Sequence, residues 1–125
     1  MKTAAIGIVV KNNEVLLVNR KFPPKLWAPP GGFLDPGETP EETVSREVWE
    51  ETGVTCEVIG KVHEFDYHDA YNDSHIDVYV CKYLSGELEC SFESLDVHWF
   101  DIAHLPTPIS PESSIFEMAV QQMNR

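Results

Sequence analysis

Apolar and β-branched residues fall in short blocks on either side of a strongly polar stretch. Residues 4–10 and 15–18 are two such blocks, separated by Lys11, Asn12, Asn13 and Glu14. Asparagine tolerates the positive φ of a tight turn, so the pair is predicted to form a β-hairpin. Residues 22–32 then carry four prolines and two glycines. Proline has no N–H for a ladder and clashes inside a helix, so a stiff loop is expected here, neither helix nor central strand. Thr39-Pro40-Glu41-Glu42 has the form of a helix start. Thr39 serves as N-cap, Pro40 stands where its missing N–H costs nothing, and Glu42 closes a capping box. Gly53 supplies the stop, so the spacing predicts a helix over 40–52.

Beyond Gly53 the pattern returns to β-branched and aromatic residues, which predicts strands over 54–59, 62–67, 76–84 and 97–100. Ser110-Pro111-Glu112 repeats the cap and proline signature. The second helix it opens is expected to bury Ile115, Met118, Ala119 and Met123. Strands and helices mixed in this order give an α/β fold, with a mixed sheet covered by at least two helices. No repeat, low-complexity tract or linker divides the chain, so residues 1–125 read as one domain.

Composition narrows the function. A length of 125 residues leaves no room for two large lobes, and 42% hydrophobic residues are enough for a core. Nine basic against 21 acidic side chains give a net charge of −12. That balance disfavours polymeric nucleic acid and anionic membranes as partners. The apolar N-terminal run meets Lys11, too early for a membrane span, and no small-residue cleavage site follows; a cytoplasmic protein is expected. Cys56, Cys81 and Cys90 are odd in number and scattered, which reads as free thiols.

The chemistry concentrates in residues 32–54, where seven acids and one base, Arg46, hold half of the chain's net charge. On a helix Glu47, Glu50 and Glu51 stand at i, i+3 and i+4, within an arc of about 100°. Val44, Val48 and Trp49 occupy a neighbouring face expected to dock on the sheet. Clustered carboxylates repel one another, and a solvated acidic face relieved by Arg46 is the bland alternative. A divalent cation turns the repulsion into coordination. The donors are all hard oxygens, which suits Mg²⁺, or Mn²⁺, better than Zn²⁺.

Gly32, Glu38, Arg46-Glu47-Val48-Trp49-Glu50-Glu51 and Gly53-Val54 resemble the Nudix box, GX5EX7REUXEEXGU with U aliphatic, at all nine specified positions over 23 residues. Trp27 to Gly31 is similar to that family's tryptophan and Pro-Gly-Gly approach, with Ala28-Pro29-Pro30 as a departure. Residues 93–100 resemble the acidic run before a tryptophan found late in many members. The resemblance implies a Nudix-like α/β/α sandwich with a mixed β-sheet. It also implies hydrolysis of a nucleoside diphosphate linked to another moiety. Glu47, Glu50 and Glu51 would bind metal, with the Gly32 carbonyl as a further ligand. Arg46 would orient Glu47, and Glu38 would brace the loop or bind metal through water. The general base would be Glu51 or a carboxylate outside the box: Glu93 first, then Asp96 and Glu89, each otherwise a solvated strand-end acid.

The expected partner is a small-molecule nucleotide: a nucleoside triphosphate, ADP-ribose or a dinucleoside polyphosphate. Ala70-Tyr71, about sixteen residues past the box, favours the last of these in family terms. Tyr67 and Tyr71 flank an acidic loop and are candidates to stack on a base, where a partly exposed hairpin tip is the bland alternative. Trp27 is expected to pack under its loop. The different class of reading is a non-catalytic nucleotide-binding or regulatory module of the same fold, and the assembly is expected to be a monomer or homodimer.

Overall fold

Strand β1 (Lys2–Lys11) is buried on both faces, and the rest of the sheet is laid against its two edges. In the computed structural model, which describes residues 1–22, 24–92 and 94–125, it is followed by β2 (Glu14–Arg20), β3 (Trp27–Ala28), β4 (Gly31–Phe33), α1 (Pro40–Thr52), β5 (Thr55–His68), β6 (Asp73–Ser85), β7 (Ser94–Asp101) and α2 (Ser113–Met123). The predicted hairpin forms with Val10 opposite Val15, and Asn12 adopts φ 58° in its turn. On its other edge β1 runs parallel to β6, from Lys2 opposite Ser74 to Val10 opposite Lys82. The other strand-to-strand ladders are antiparallel, so the sheet is mixed. The order is β3-β2-β1-β6-β5, with β4 added to β1 and β7 to β2.

Alternate residues of the central strands feed two cores. Ala5, Val9, Leu16 and Cys81 pack with Val44 and Val48 of α1. Ile8, Val10, Val15, Leu17, Val78 and Val80 pack with Ile115, Phe116, Ala119 and Val120 of α2. One helix therefore covers each face, which is the expected α/β/α sandwich. The three cysteines are free thiols, as expected. No helix of the described residues is long and apolar enough to cross a membrane.

The first helix has the expected bounds, and its Gly53 cap stands in the left-handed region at φ 78°. Several other expectations are corrected. The proline-rich segment is not all loop, because Gly31 and Gly32 let β4 lie against β1, with Ala5 opposite Gly32. The expected strands 54–59 and 62–67 are one strand, β5; register shifts at Val58/Gly60 and Lys61/His63 absorb the irregularity that Gly60 introduces. The second helix begins at Ser113 with Glu112 as N-cap, not at Ser110. Residues before it are drawn onto the sheet edge, where Trp27 N–H donates to the Pro108 carbonyl and Ser110 N–H donates to the Trp27 carbonyl, each at 3.0 Å. Trp49 is 62% exposed, since it lies about 100° around the helix from Val48, past the edge of the buried face. Met118 is likewise exposed, and Phe116 and Val120 take the place expected for it.

These faces set a stability prediction. Phe116→Ala removes a fully buried ring and should cost about 3–5 kcal/mol in urea denaturation. Met118→Ala should change stability by no more than about 0.5 kcal/mol.

Candidate active site

The capping box that starts α1 is present in full: Glu42 N–H donates to Thr39 Oγ1 at 3.2 Å and Thr39 N–H donates to Glu42 Oε1 at 3.0 Å. It fixes the entry of the acidic loop into the helix, and the loop is then tied to the second turn by Arg46. Arg46 Nε donates to Glu38 Oε2 at 2.7 Å and Nη2 to Glu38 Oε1 at 2.9 Å, a bidentate pair. Its Nη1 donates to Glu47 Oε1 at 2.8 Å and to Glu50 Oε2 at 3.2 Å. Glu38 also accepts the Thr43 hydroxyl at 2.6 Å and the Asp35 N–H at 3.0 Å. The hydrogen bonds from Arg46, then those from Thr43 and Asp35, lower the Glu38 pKa from 4.5 to about 2. Arg46 is held still more firmly in its charged form, by Glu38 first and then by Glu47.

Glu47 and Glu51 turn inward toward β4. A Cβ on Gly32 would stand 2.7 Å from Glu47 Oε1, so only glycine leaves the room this carboxylate occupies. Gly31 N–H donates to Glu51 Oε2 at 2.6 Å. The Glu50 side chain is half exposed. The structure thus brings Gly32, Glu38, Arg46, Glu47, Glu50 and Glu51 together along one side of α1, from the loop before it to its last turn. It holds their carboxylates apart, with Arg46 between Glu47 and Glu50 and a backbone amide on Glu51. Carboxylate oxygens around a glycine cradle, without sulfur or imidazole, form a donor set that fits a hard divalent cation.

Among the described residues, the His and carboxylate ligand atoms that do converge within 4.8 Å belong to Glu64, His75 and Asp77. Lys61 Nζ is already bound there, at 2.8 Å from Asp77 Oδ1 and against Glu64. Asp66, 2.8 Å from His75 Nδ1, raises the His75 pKa, and Asp77 adds to the effect. His75 and Asp77 alternate with Ser74 and Ile76 along β6, so this network is on the α1 face of the sheet.

Ser74 and Ile76 face the other way, into a cavity of about 410 Å³. Ala4 and Ile6 of β1, Phe65 and Tyr67 of β5, Gly31 and Gly32 of β4, and Glu51 also line it. The cavity therefore meets the acidic end of α1 at Glu51. Tyr67 is half-buried in its wall, whereas Tyr71 is 91% exposed at the hairpin turn and is not among the lining residues. Trp27 packs edge-on to Phe100, with ring centroids 4.9 Å apart. Asp96 Oδ2 is paired with His98 Nε2 at 2.9 Å and does not line the cavity. Glu89 N–H donates to the Thr52 carbonyl beside the end of α1. Glu93 lies outside the described residues, and Ser94 after it lines the cavity. Two lining residues carried no individual signal in the sequence, Arg20 and Asn72. A basic pair, Arg20-Lys21, closing a strand in an acidic chain is the sign that would have marked Arg20.

The family model for the NUDIX domain matches residues 1–118. The chain is 36% identical over 107 residues to an ADP-ribose pyrophosphatase of Methanocaldococcus jannaschii, a match that covers 82% of this chain and 63% of that protein. It is 32% identical over 119 residues to an NAD-capped RNA hydrolase NudC of Vibrio parahaemolyticus, covering 94% of this chain and 45% of the relative. The chain thus spans less than two thirds of the length of these curated relatives. Among solved structures, a MutT NUDIX hydrolase from Burkholderia pseudomallei superposes with a TM-score of 0.81 at 28% identity, over 97% of this chain and 96% of that one.

The Glu38 bonds generate a pH prediction. A folded-state pKa of about 2 against an ordinary 4.5 means that Glu38 stabilises the fold fully above pH 4.5 and loses that effect as pH falls toward 2. Glu38→Gln should therefore be less stable than the parent in urea denaturation at pH 7, and the gap should close progressively below pH 4.5.

Proposed function

The chain belongs to the Nudix family, and on that premise we propose that it hydrolyses a pyrophosphate bond in a nucleoside diphosphate linked to another moiety. One observation carries this reading: Glu51 belongs both to the acidic end of α1 and to the wall of a cavity large enough for a nucleoside. Glu47, Glu50 and Glu51, with the Gly32 carbonyl, are the proposed ligands of Mg²⁺, for which Mn²⁺ can substitute. Such an ion, when bound, neutralises the pyrophosphate and lowers the pKa of a coordinated water.

The protein's own groups do the positioning. Arg46 holds Glu47 in place and is in turn braced by Glu38, so the loop cannot drift from the helix. Gly31 N–H fixes Glu51 in the cavity wall, and either Glu51 or Glu93 would take the proton from the attacking water. Tyr67 lies where it would flank a bound nucleoside, and Tyr71 would reach it only from the exposed turn. Nucleoside triphosphates, ADP-ribose and dinucleoside polyphosphates are the candidate substrates, and the M. jannaschii relative's name favours the second. The NudC relative adds an RNA-linked pyrophosphate to the panel, against which the −12 charge of this chain argues.

Glu50→Gln should abolish nearly all Mg²⁺-dependent release of phosphorylated product across that panel while leaving the denaturation midpoint intact. Activity that survives excess EDTA, or a fully active Glu50→Gln, would overturn the metal assignment. A folded protein that binds nucleotides and hydrolyses none would be a binding module. Glu93→Gln should lower kcat by roughly 10²-fold or more at little change in KM if Glu93 is the base. A loss below tenfold moves that role to Glu51 or Asp96.

A further inference from the structure

The hairpin between β5 and β6 supplies a polar wall to an otherwise largely apolar cavity, through Tyr67, Asp69, Asn72 and Ser74. Asp69 builds the turn. Its Oδ1 accepts the backbone N–H of Tyr71 and of Asn72, each at 2.7 Å, and its own N–H donates to the Asn72 carbonyl at 3.0 Å. Asn72 is thus pinned through both of its backbone groups. Its side-chain carboxamide makes no hydrogen bond to any described residue. A donor and an acceptor side by side, on a backbone already ordered by folding, can engage a ligand with little further entropic cost.

The chemistry of that pair selects its partner. A carboxamide matches the edge of adenine on which the N6 amine stands beside N7, and it can bond to both at once, whereas the same edge of hypoxanthine offers two acceptors and can satisfy only the amide's donor. Asp69 on the same wall is an acceptor only when ionised, and hydrogen bonds from the Tyr71 and Asn72 amides lower its pKa. An amine facing this wall is favoured. A carbonyl oxygen in the same place, as in hypoxanthine, meets a negative acceptor. Ile6, Phe65 and Ile76 offer apolar surface to the faces of the ring.

We propose that Asn72 is a specificity-determining residue that reads the amine edge of an adenine base, so that adenine nucleotides are the substrate class. This rests on the cavity being the nucleoside site of the pyrophosphohydrolase described above. The test separates the two by measuring base recognition without metal, phosphate or turnover. In NMR titrations with the neutral nucleosides, the parent protein should bind adenosine roughly tenfold or more tightly than inosine. Asn72→Ala should bring the two within about threefold by weakening adenosine alone, and Asn72→Asp, which keeps the size and loses the donor, should do the same. In parallel, kcat/KM for ATP against ITP and for ADP-ribose against its hypoxanthine counterpart should show the parent's preference, lost in both variants through KM. Equal binding of adenosine and inosine by the parent protein, or an equal loss of both in Asn72→Ala, would overturn the inference. Discrimination between the nucleosides with no hydrolysis of any nucleotide would sustain the reading of the adenine edge by Asn72 and sink the pyrophosphohydrolase reading. Hydrolysis with no discrimination would do the reverse.

Discussion

Arg46 is the one cation that makes the acidic end of α1 tenable. Glu47 and Glu50, one turn apart, repel, and Arg46 Nη1 lies between them. The other side of the same planar fork grips Glu38, which belongs to the preceding loop. A lysine could neutralise one of these charges but could not hold three carboxylates in fixed relative positions, because its ammonium is a single point on a flexible stem. Loop and helix are consequently tied to each other, and the same clamp reaches the end of β4. Arg46 Nη2 also lies 3.5 Å from the carbonyl of Phe33, the last residue of β4.

That clamp sits at a meeting of two environments. The α1 face of the sheet carries charge: the helix carboxylates and the Lys61, Glu64, Asp66, His75 and Asp77 network. The α2 face carries the cavity, walled largely by apolar and aromatic side chains. They communicate at Gly31 and Gly32, where the missing Cβ of Gly32 leaves room for Glu47 and the Gly31 N–H holds Glu51. A proposed substrate with a charged pyrophosphate and an uncharged base needs both environments within one molecule's length.

What could be read from sequence depended on range. The first helix was legible to its ends because Thr39, Pro40, Glu42 and Gly53 act within a turn of their own positions. The box residues were legible as a pattern, and the structure sets them around Arg46 with their carboxylates held apart. Periodicity alone could not tell how wide a buried stripe would be, so Trp49 and Met118 were assigned to faces that the sheet does not reach. Gly60 looks like a strand break in isolation, but β6 continues to pair on both sides of it. The cavity was the least legible part. Its walls come from all seven strands, the loops between them and Glu51 of α1, so Arg20 and Asn72 come to share a cavity with Glu51 only after the chain has closed.

The parallel pairing of β1 with β6 bears on how such a chain reaches its native state. The β1–β2 and β5–β6 hairpins are joined by short turns and can form early, each on its own. Ala4 and Ile76, in contrast, are 72 positions apart in the chain and must find each other across the loop, β4 and α1. Loop-closure entropy has to be met before such a contact returns anything, which makes this the expected slow event of folding. Ala4 and Ile76 both line the cavity, and β4 needs β1 as its template. The working site is therefore completed in the same cooperative step as the central sheet. An intermediate with both hairpins and the first helix in place would hold most of the secondary structure and the separate walls of the pocket, but not the pocket.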